Sequence, residues 1–302
     1  MLILVIGEIL VDIFPEYRRI GGAPFNFSYH LHRFGWPVKL VSRIGEDETG
    51  REILDLLRRH NFGADHVQVD AWHPTGRVLV HPDGSGNHEF EILPDVAYDH
   101  IDLPDCPEAI TGNPPALIYF GTLVQRTSAA FGRLQNFLAS RSPETRCLYD
   151  INLRPGCYNT EIVHNSLRQT DILKINAAEV TMVRDMLNSP LPEDRFIDWL
   201  MREYKIEMVS LTRGNGGSEL ITPYSRNKAA VPETGPVADS VGAGDAYAAV
   251  LAWGYLNDWT PERILTEASA FSARICQIQG AIPDDQAFYD SFIDRITGEK
   301  HA

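Results

Sequence analysis

The sequence predicts an α/β fold: a mostly parallel sheet with helices on both faces, and a small second β-sheet laid over it. Three observations carry this prediction. Strand-length apolar runs alternate with helix-period segments along most of the chain, the pattern of parallel strands joined by helical crossovers. Between Val67 and Leu93 the texture changes to strands without sustained apolar patterning on both faces, which suits a lid rather than a core. Late in the chain, Asp239-Ser240-Val241-Gly242-Ala243-Gly244-Asp245 feeds directly into the apolar run Ala246 to Tyr255, a glycine-loosened helix start.

The first element is residues 2–6, a buried strand ending at Gly7. It lacks a basic leader and meets Glu8 too soon to read as a signal peptide. Asp12 lies near the carboxyl end of that strand or just beyond it, where ligands of open α/β sheets gather. Gly21-Gly22-Ala23-Pro24-Phe25-Asn26 follows. Its glycines let the backbone pass close to a ligand, and Pro24 suits a first helical turn. Phe27, Leu31 and Phe34 keep helical spacing until Gly35 and Pro37 stop the helix. Asn26 sits in its first turn, free to cap or to reach a ligand. Thr49-Gly50-Arg51-Glu52 reads as a capping box opening a helix through Ile53, Leu56 and Leu57, ended by Asn61 and Gly63. Gly76 to Val80 and His88 to Leu93 read as strands around a Pro82–Gly86 hairpin turn.

A surface loop spans Pro104 to Pro115, and then the rhythm returns. Ala116 to Phe120 is a strand, Thr127 to Ala139 a helix, and Arg146 to Ile151 a strand. Asn152 and Arg154 lie just past that strand's end. Glu161 to Arg168 is a short helix and Ile172 to Ile175 a strand. Asn176-Ala177-Ala178-Glu179 opens the next helix, with Asn176 as N-cap and Glu179 at N3. Met208 to Thr212 is a strand running into the turn Thr212-Arg213-Gly214-Asn215-Gly216-Gly217. Short strands at Ser218–Thr222 and Lys228–Val231 precede the late motif. Thr260-Pro261 starts a helix with Ile264, Ala268 and Phe271 on one face, closed by Gly280 and Pro283. A last helix covers about Asp284 to Ile296. No repeat or linker splits the chain. It reads as one domain over 1–302, with the lid drawn from about 8–20 and 67–100.

Composition bounds the partners. The 302 residues are 44% apolar and 23% charged, with net charge −14 and little Lys. Such a chain is a poor match for nucleic acid or an anionic membrane. No apolar run approaches the ~20 residues of a membrane span. Cys106, Cys147, Cys157 and Cys276 show no metal or redox spacing. Cys147 and Cys276 lie in apolar runs and read as core thiols, so a reducing cytoplasm is expected. His30 and His32 are two apart on a helix, face different ways, and read as structural.

The late motif carries the chemistry. A helix start exposes unpaired N–H groups and the positive end of the macrodipole, and Gly242 and Gly244 keep those groups open to an anion. Asp245 aims a carboxylate at the same place. An acidic N-cap alone would account for it. A carboxylate beside an anion cradle also suits a base that takes a proton from a hydroxyl attacking that anion. The expectation is phosphoryl transfer with Asp245 as base and the N–H groups of Gly242, Ala243 and Gly244 as the cradle.

The motifs Gly21–Asn26, Asn176–Glu179 and Asp239–Asp245, in this order and spacing, resemble the ribokinase-like (phosphofructokinase-B type) sugar kinase family over nearly the whole chain, from Gly7 to about Ala281. The double-glycine motif and Asp150-Ile151-Asn152-Leu153-Arg154-Pro155 look most like the fructokinases. The resemblance implies a Rossmann-like three-layer α/β/α body with a β lid. It implies ATP and a sugar as partners, with Asp12, Gly22, Asn26 and Arg154 on the sugar. It implies ATP near Thr212, Gly214 and Gly217, bordered by the helix from Thr260 to Gly280. Asn176 and Glu179 would organise Mg2+ and phosphates through water. Asp239 and the Val241 carbonyl match positions where relatives hold a monovalent cation such as K+. Two departures stand out: Ser240 replaces the usual Thr, and Phe27-Ser28-Tyr29-His30 is bulkier than is common. Exposed lid strands suit pairing in a homodimer.

Competing classes lack their signatures. Gly7-Glu8-Ile9-Leu10 is not the Gly-x-Gly-x-x-Gly of a dinucleotide enzyme, and no Gly-Lys-Ser/Thr marks a P-loop. A sugar-binding regulator that had lost catalysis should have lost Asp245 or the glycines. Within the kinases, fructose is the expected acceptor, with 2-keto-3-deoxygluconate, ribose or, behind them, a nucleoside as alternatives.

Overall fold

Strand β1 (Ile3–Ile6) buries all four of its side chains, as a strand covered on both faces must. The computed structural model describes residues 1–82, 88–232 and 235–298. After β1 the chain leaves the main body for β2 (Leu10–Ile13) and β3 (Arg18–Gly21), an antiparallel pair. It returns through α1 (Ala23–Arg33), with Pro24 in the first turn. Strand β4 (Val38–Gly45) pairs parallel with β1. Helix α2 (Glu48–Arg59) starts earlier than its sequence suggests. Its N-cap is Asp47, whose side chain accepts from the Gly50 N–H, so the Thr49–Glu52 capping box does not form. Glu52 pairs instead with Arg18.

Strand β5 (Val67–Asp70) falls in the stretch expected in the lid, but it pairs with β4 at the edge of the large sheet. The hairpin strands are β6 (Gly76–Pro82) and β7 (His88–Ile92). The turn expected between them falls largely at 83–87, outside the described residues. The Pro104–Pro115 loop contains a single helical turn, α3 (Glu108–Thr111).

The second half alternates regularly. It runs β8 (Leu117–Gly121), α4 (Ser128–Ala139), β9 (Arg146–Asp150), α5 (Thr160–Arg168), β10 (Ile172–Asn176) and α6 (Ala177–Met186). Helix α7 (Glu193–Tyr204) was not anticipated, although Phe196, Ile197, Leu200, Met201 and Tyr204 form a buried stripe at helical spacing. Then come β11 (Met208–Thr212), β12 (Ser218–Ile221) and β13 (Arg226–Ala229), the last beginning two residues before its expected start. Helices α8 (Ala243–Leu256), α9 (Pro261–Ile275) and α10 (Gln286–Thr297) complete the described chain.

Among the described residues the large sheet has nine strands in the order β13-β12-β11-β10-β9-β8-β1-β4-β5, and the small one four, β3-β2-β6-β7. The large sheet is parallel from β5 to β11; β12 and β13 are antiparallel additions. Alternate β1 residues enter two separate cores. Ile3 and Val5 join residues of α1, α2, α8, α9 and α10; Leu4 and Ile6 join residues of α4, α5, α6 and α7. That is the three-layer arrangement. From β1 the chain winds outward to β4 and β5, then returns to β8 on β1's other side. The order reverses there, and such a reversal opens a crevice at the strand carboxyl ends. Among the described residues no helix is long and apolar enough to cross a membrane. His30 is buried against the Tyr289 hydroxyl and His32 reaches the His60 carbonyl, both structural contacts.

Candidate active site

A cavity of about 370 Å³ lies between the strand carboxyl ends and the small sheet. Asp12, Gly22, Asn26 and Arg154 line it, together with Gly242, Gly244 and Asp245. A second cavity of about 370 Å³ adjoins it, lined by Thr212, Gly214, Gly217 and Ala243, with α9 supplying Ser272, Ala273 and Cys276. Thr212, Ser240 and Gly244 border both. The tip of α8 therefore stands between two chambers, one acidic and polar, the other a glycine-edged slot. Cys276, expected as a core thiol, is only half-buried on the slot wall, whereas Cys147 is fully buried.

Helix α8 begins at Gly242, which holds φ 78°. A Cβ there would come within 2.2 Å of the Ala281 Cβ, so the tip depends on a bare backbone. Gly22, the N-cap of α1, has φ 111°, and a Cβ would stand 2.6 Å from the Glu8 carbonyl oxygen. These two glycines bring α1 and α8 together at their N-terminal ends. Across that junction Asn26 Nδ2 donates to Asp245 Oδ2 at 2.8 Å. Asn26 is 4% exposed, and its Oδ1 accepts no donor among the described residues.

The electrostatics make the carboxyls of this cavity easily protonated. Burial pushes the Asp245 carboxyl up to about 6, with the Asp150 charge adding to it and Asn26, Lys174 and Arg154 opposing. Burial likewise raises Asp12 to about 6, against the pull of Arg154 and Arg19. Two further groups escaped the sequence reading. Glu8 is 4% exposed, lines the cavity, and is pushed by burial up to about 8; its Oε2 has no partner among the described residues. Lys174 holds both Asp150 carboxylate oxygens at 2.9 Å. Burial alone would lower Lys174, but the Asp150 charge outweighs it and keeps the ammonium above its ordinary range. A Cβ on Gly244 would lie 3.4 Å from Lys174 Nζ, so this cation sits against the helix tip. A lone Lys inside the apolar strand Ile172–Asn176 was the available signal, because a buried charge needs a partner.

Asn176 and Glu179 form a reciprocal cap. The Glu179 N–H donates to Asn176 Oδ1 at 2.9 Å, and the Asn176 N–H to Glu179 Oε2 at 2.8 Å. Glu179 Oε1 also accepts from the Leu153 N–H at 3.0 Å. Both oxygens are thus occupied by backbone donors at the cavity edge. They fit Mg2+ through water, since this ion keeps several of its waters, and fit direct ligation poorly.

Asp239 stands apart from both chambers, in a small recess with Phe14, Tyr17 and Arg19. Its carboxylate accepts from the Val241 and Gly280 N–H groups at 3.0 and 3.1 Å, and from Arg19 Nη1 at 2.7 Å. Burial works against it, but these donors hold Asp239 below the usual carboxylate range. With a guanidinium already on the carboxylate, the residues here do not fit a resident K+.

The model of the pfkB family of carbohydrate kinases matches residues 16–287. A fructokinase of Escherichia coli is 26% identical over 273 residues, 83% of either chain. A 5-dehydro-2-deoxygluconokinase of Clostridium botulinum is 22% identical over 296 residues, 90% of this chain and 86% of its own. Among solved structures, a fructokinase with bound ATP from Xylella fastidiosa aligns with a TM-score of 0.83 at 18% identity, covering 99% of both chains.

Proposed function

Because the chain belongs to the pfkB family of carbohydrate kinases, we propose that it transfers the γ-phosphoryl group of ATP to the primary hydroxyl of a sugar, with fructose, giving fructose 6-phosphate, as the first acceptor to test. The observation that carries this is the Asn26–Asp245 hydrogen bond at the tip of α8, where the two chambers meet. Sugar enters the polar chamber against Asp12, Gly22, Asn26 and Arg154. ATP lies in the slot by Thr212, Gly214 and Gly217. Asp245 takes the hydroxyl proton as attack begins. The N–H groups of Gly242, Ala243 and Gly244, with Lys174 behind them, offset charge gathering on the transferring group. Mg2+, held through water near Asn176 and Glu179, would supply charge neutralisation for the phosphates.

The whole chain works as one kinase domain, with the small sheet as its lid. Closure keeps water from the phosphoryl group, so ATP hydrolysis without sugar should be slow. The edges of the small sheet, β3 and β7, are where a second copy would pair. Four free cysteines suit a reducing compartment, the cytoplasm.

A sugar acid such as 2-keto-3-deoxygluconate is the second reading. It is favoured by the exposed guanidinium of Arg154 in the polar chamber, which matches a carboxylate. One assay of ATP-dependent product formation over fructose, 2-keto-3-deoxygluconate, ribose and adenosine separates the acceptors. Asp245→Asn should keep sugar and ATP binding but lose about 10²–10⁴ in turnover. A variant within about threefold of the parent rejects Asp245 as the base.

A further inference from the structure

Away from both chambers, His73, Asp95 and His100 meet at the base of the small sheet. His73 lies on the crossover from β5 to β6, and Asp95 and His100 on the segment leaving β7. Both imidazoles turn Nε2 toward one carboxylate oxygen. His100 Nε2 is 3.1 Å and His73 Nε2 3.7 Å from Asp95 Oδ1. The three donor atoms lie within 4.8 Å of one another, and the rings stack with centroids 3.6 Å apart.

A second layer supports the first. His73 Nδ1 donates to Asp70 Oδ2 at 3.0 Å. Asp70 is 1% exposed and is itself fixed by the Trp72 and His73 N–H groups and by Arg43 Nε at 2.8 Å. A carboxylate on Nδ1 places the proton there and leaves the Nε2 lone pair facing outward. Carboxylate–histidine pairs of this kind back metal-binding imidazoles, orienting the ring and raising its basicity. Nothing in phosphoryl transfer calls for this arrangement.

We propose that His73 Nε2, His100 Nε2 and an Asp95 carboxylate oxygen form a site for a borderline-soft divalent transition ion, with Zn2+ as the probe and water completing the tetrahedron. Two imidazoles and one carboxylate are a donor set for Zn2+ and unsuited to Mg2+. On binding, His100 exchanges the Nε2 proton that it donates to Asp95 for one on Nδ1 by way of solvent, so that the neutral ring offers its Nε2 lone pair. The rings turn out of their stack so that both lone pairs converge on the ion. The ion then ties together the two segments through which the β6–β7 hairpin joins the body.

The test uses the full chain stripped of metal by a chelator. Zn2+ is titrated in competition with a chromogenic chelator, and thermal unfolding is followed with and without Zn2+. One equivalent should be taken up per chain, with a rise in midpoint, and Mg2+ should do neither. His73→Ala and His100→Ala should each weaken uptake by about 10-fold or more, while His81→Ala, remote from the cluster, should not. Matching midpoints in chelator show that the variants fold; if His100→Ala does not, His100→Gln replaces it. No stoichiometric uptake by the parent chain, or equal uptake by the His73→Ala/His100→Ala double variant, overturns the site.

Discussion

If Asp245 is the base, turnover must fall as it takes up a proton, and its surroundings say where. Burial and Asp150 place its carboxyl at about 6. The ionised fraction is then ~0.9 at pH 7 and ~0.1 at pH 5, so the chemical step should slow about tenfold between them. An ordinary aspartate near 3.8 would stay ~0.9 ionised at pH 5, and the rate would barely change. Asp12 is also raised to about 6; on the proposed reading its protonation weakens sugar binding, so saturating sugar isolates Asp245. Asp150→Asn gives the decisive perturbation. It removes the negative charge that raises Asp245, and it leaves Lys174 without the carboxylate it now neutralises. Both changes favour the Asp245 anion, so the acid limb should move to lower pH. The assay is single-turnover formation of labelled sugar phosphate, free of coupling enzymes that have their own pH dependence. A flat parent profile between pH 5 and 7, or a limb that moves upward in Asp150→Asn, refutes the assignment.

Gly242→Ala must force a Cβ against Ala281 at a residue with positive φ; by displacing the N–H cradle it should cost about 10²–10³ in kcat, measured against unchanged ATP affinity. Asp245→Asn should lose activity yet gain stability at pH 8. The folded carboxyl lies above its unfolded value of 3.8, so stability falls as pH rises through 4 to 6 and the penalty is full above that; thermal midpoints of parent and variant should converge by pH 4. Arg19 supplies the positive charge at Asp239, so the parent should turn over equally in K+ and in a large organic cation, while Arg19→Ala should become K+-dependent in initial-rate assays.

The fold, and the part of the candidate site that lies at helix starts, were legible in residues that signal through local rules. Gly22, Pro24, Asn26, Asn176, Glu179 and the Asp239–Asp245 run occupy helix starts, where residue type and position are tightly coupled. The groups that stayed hidden gain their meaning only across the sheet. Lys174 and Asp150 sit on adjacent strands β10 and β9 at paired positions, and no local pattern reports that pairing. Glu8 lies just past β1, a position that carries no local sign of burial, yet it is 4% exposed in the folded chain. Asp47 rather than Thr49 caps α2, because Asp47 also holds the Thr75 N–H and hydroxyl at 2.9 and 2.7 Å, a tie invisible in one dimension. Strand β4 and helix α7 differ from these: their apolar periodicity is present in the sequence itself.

On the proposed reading, the unpartnered Asn26 Oδ1 and Glu8 Oε2 favour a polyol in the polar chamber and single out one of its hydroxyls. Asn26 spends an N–H on Asp245, which fixes the direction of its Oδ1. That buried acceptor needs a donor, and leaving it without one costs about 1–3 kcal/mol. A hydroxyl that satisfies Asn26 Oδ1 is thereby held beside the Asp245 carboxylate, under the tip of α8. Glu8, with its carboxyl raised to about 8, keeps its proton at neutral pH and can donate to a second sugar oxygen without adding a third anion to Asp12 and Asp245. A molecule with a single hydroxyl meets one of these demands; a sugar with several meets them together. On that reading, the hydrogen bonds that hold the sugar also align the oxygen that reacts, and binding energy becomes orientation at the reacting atom.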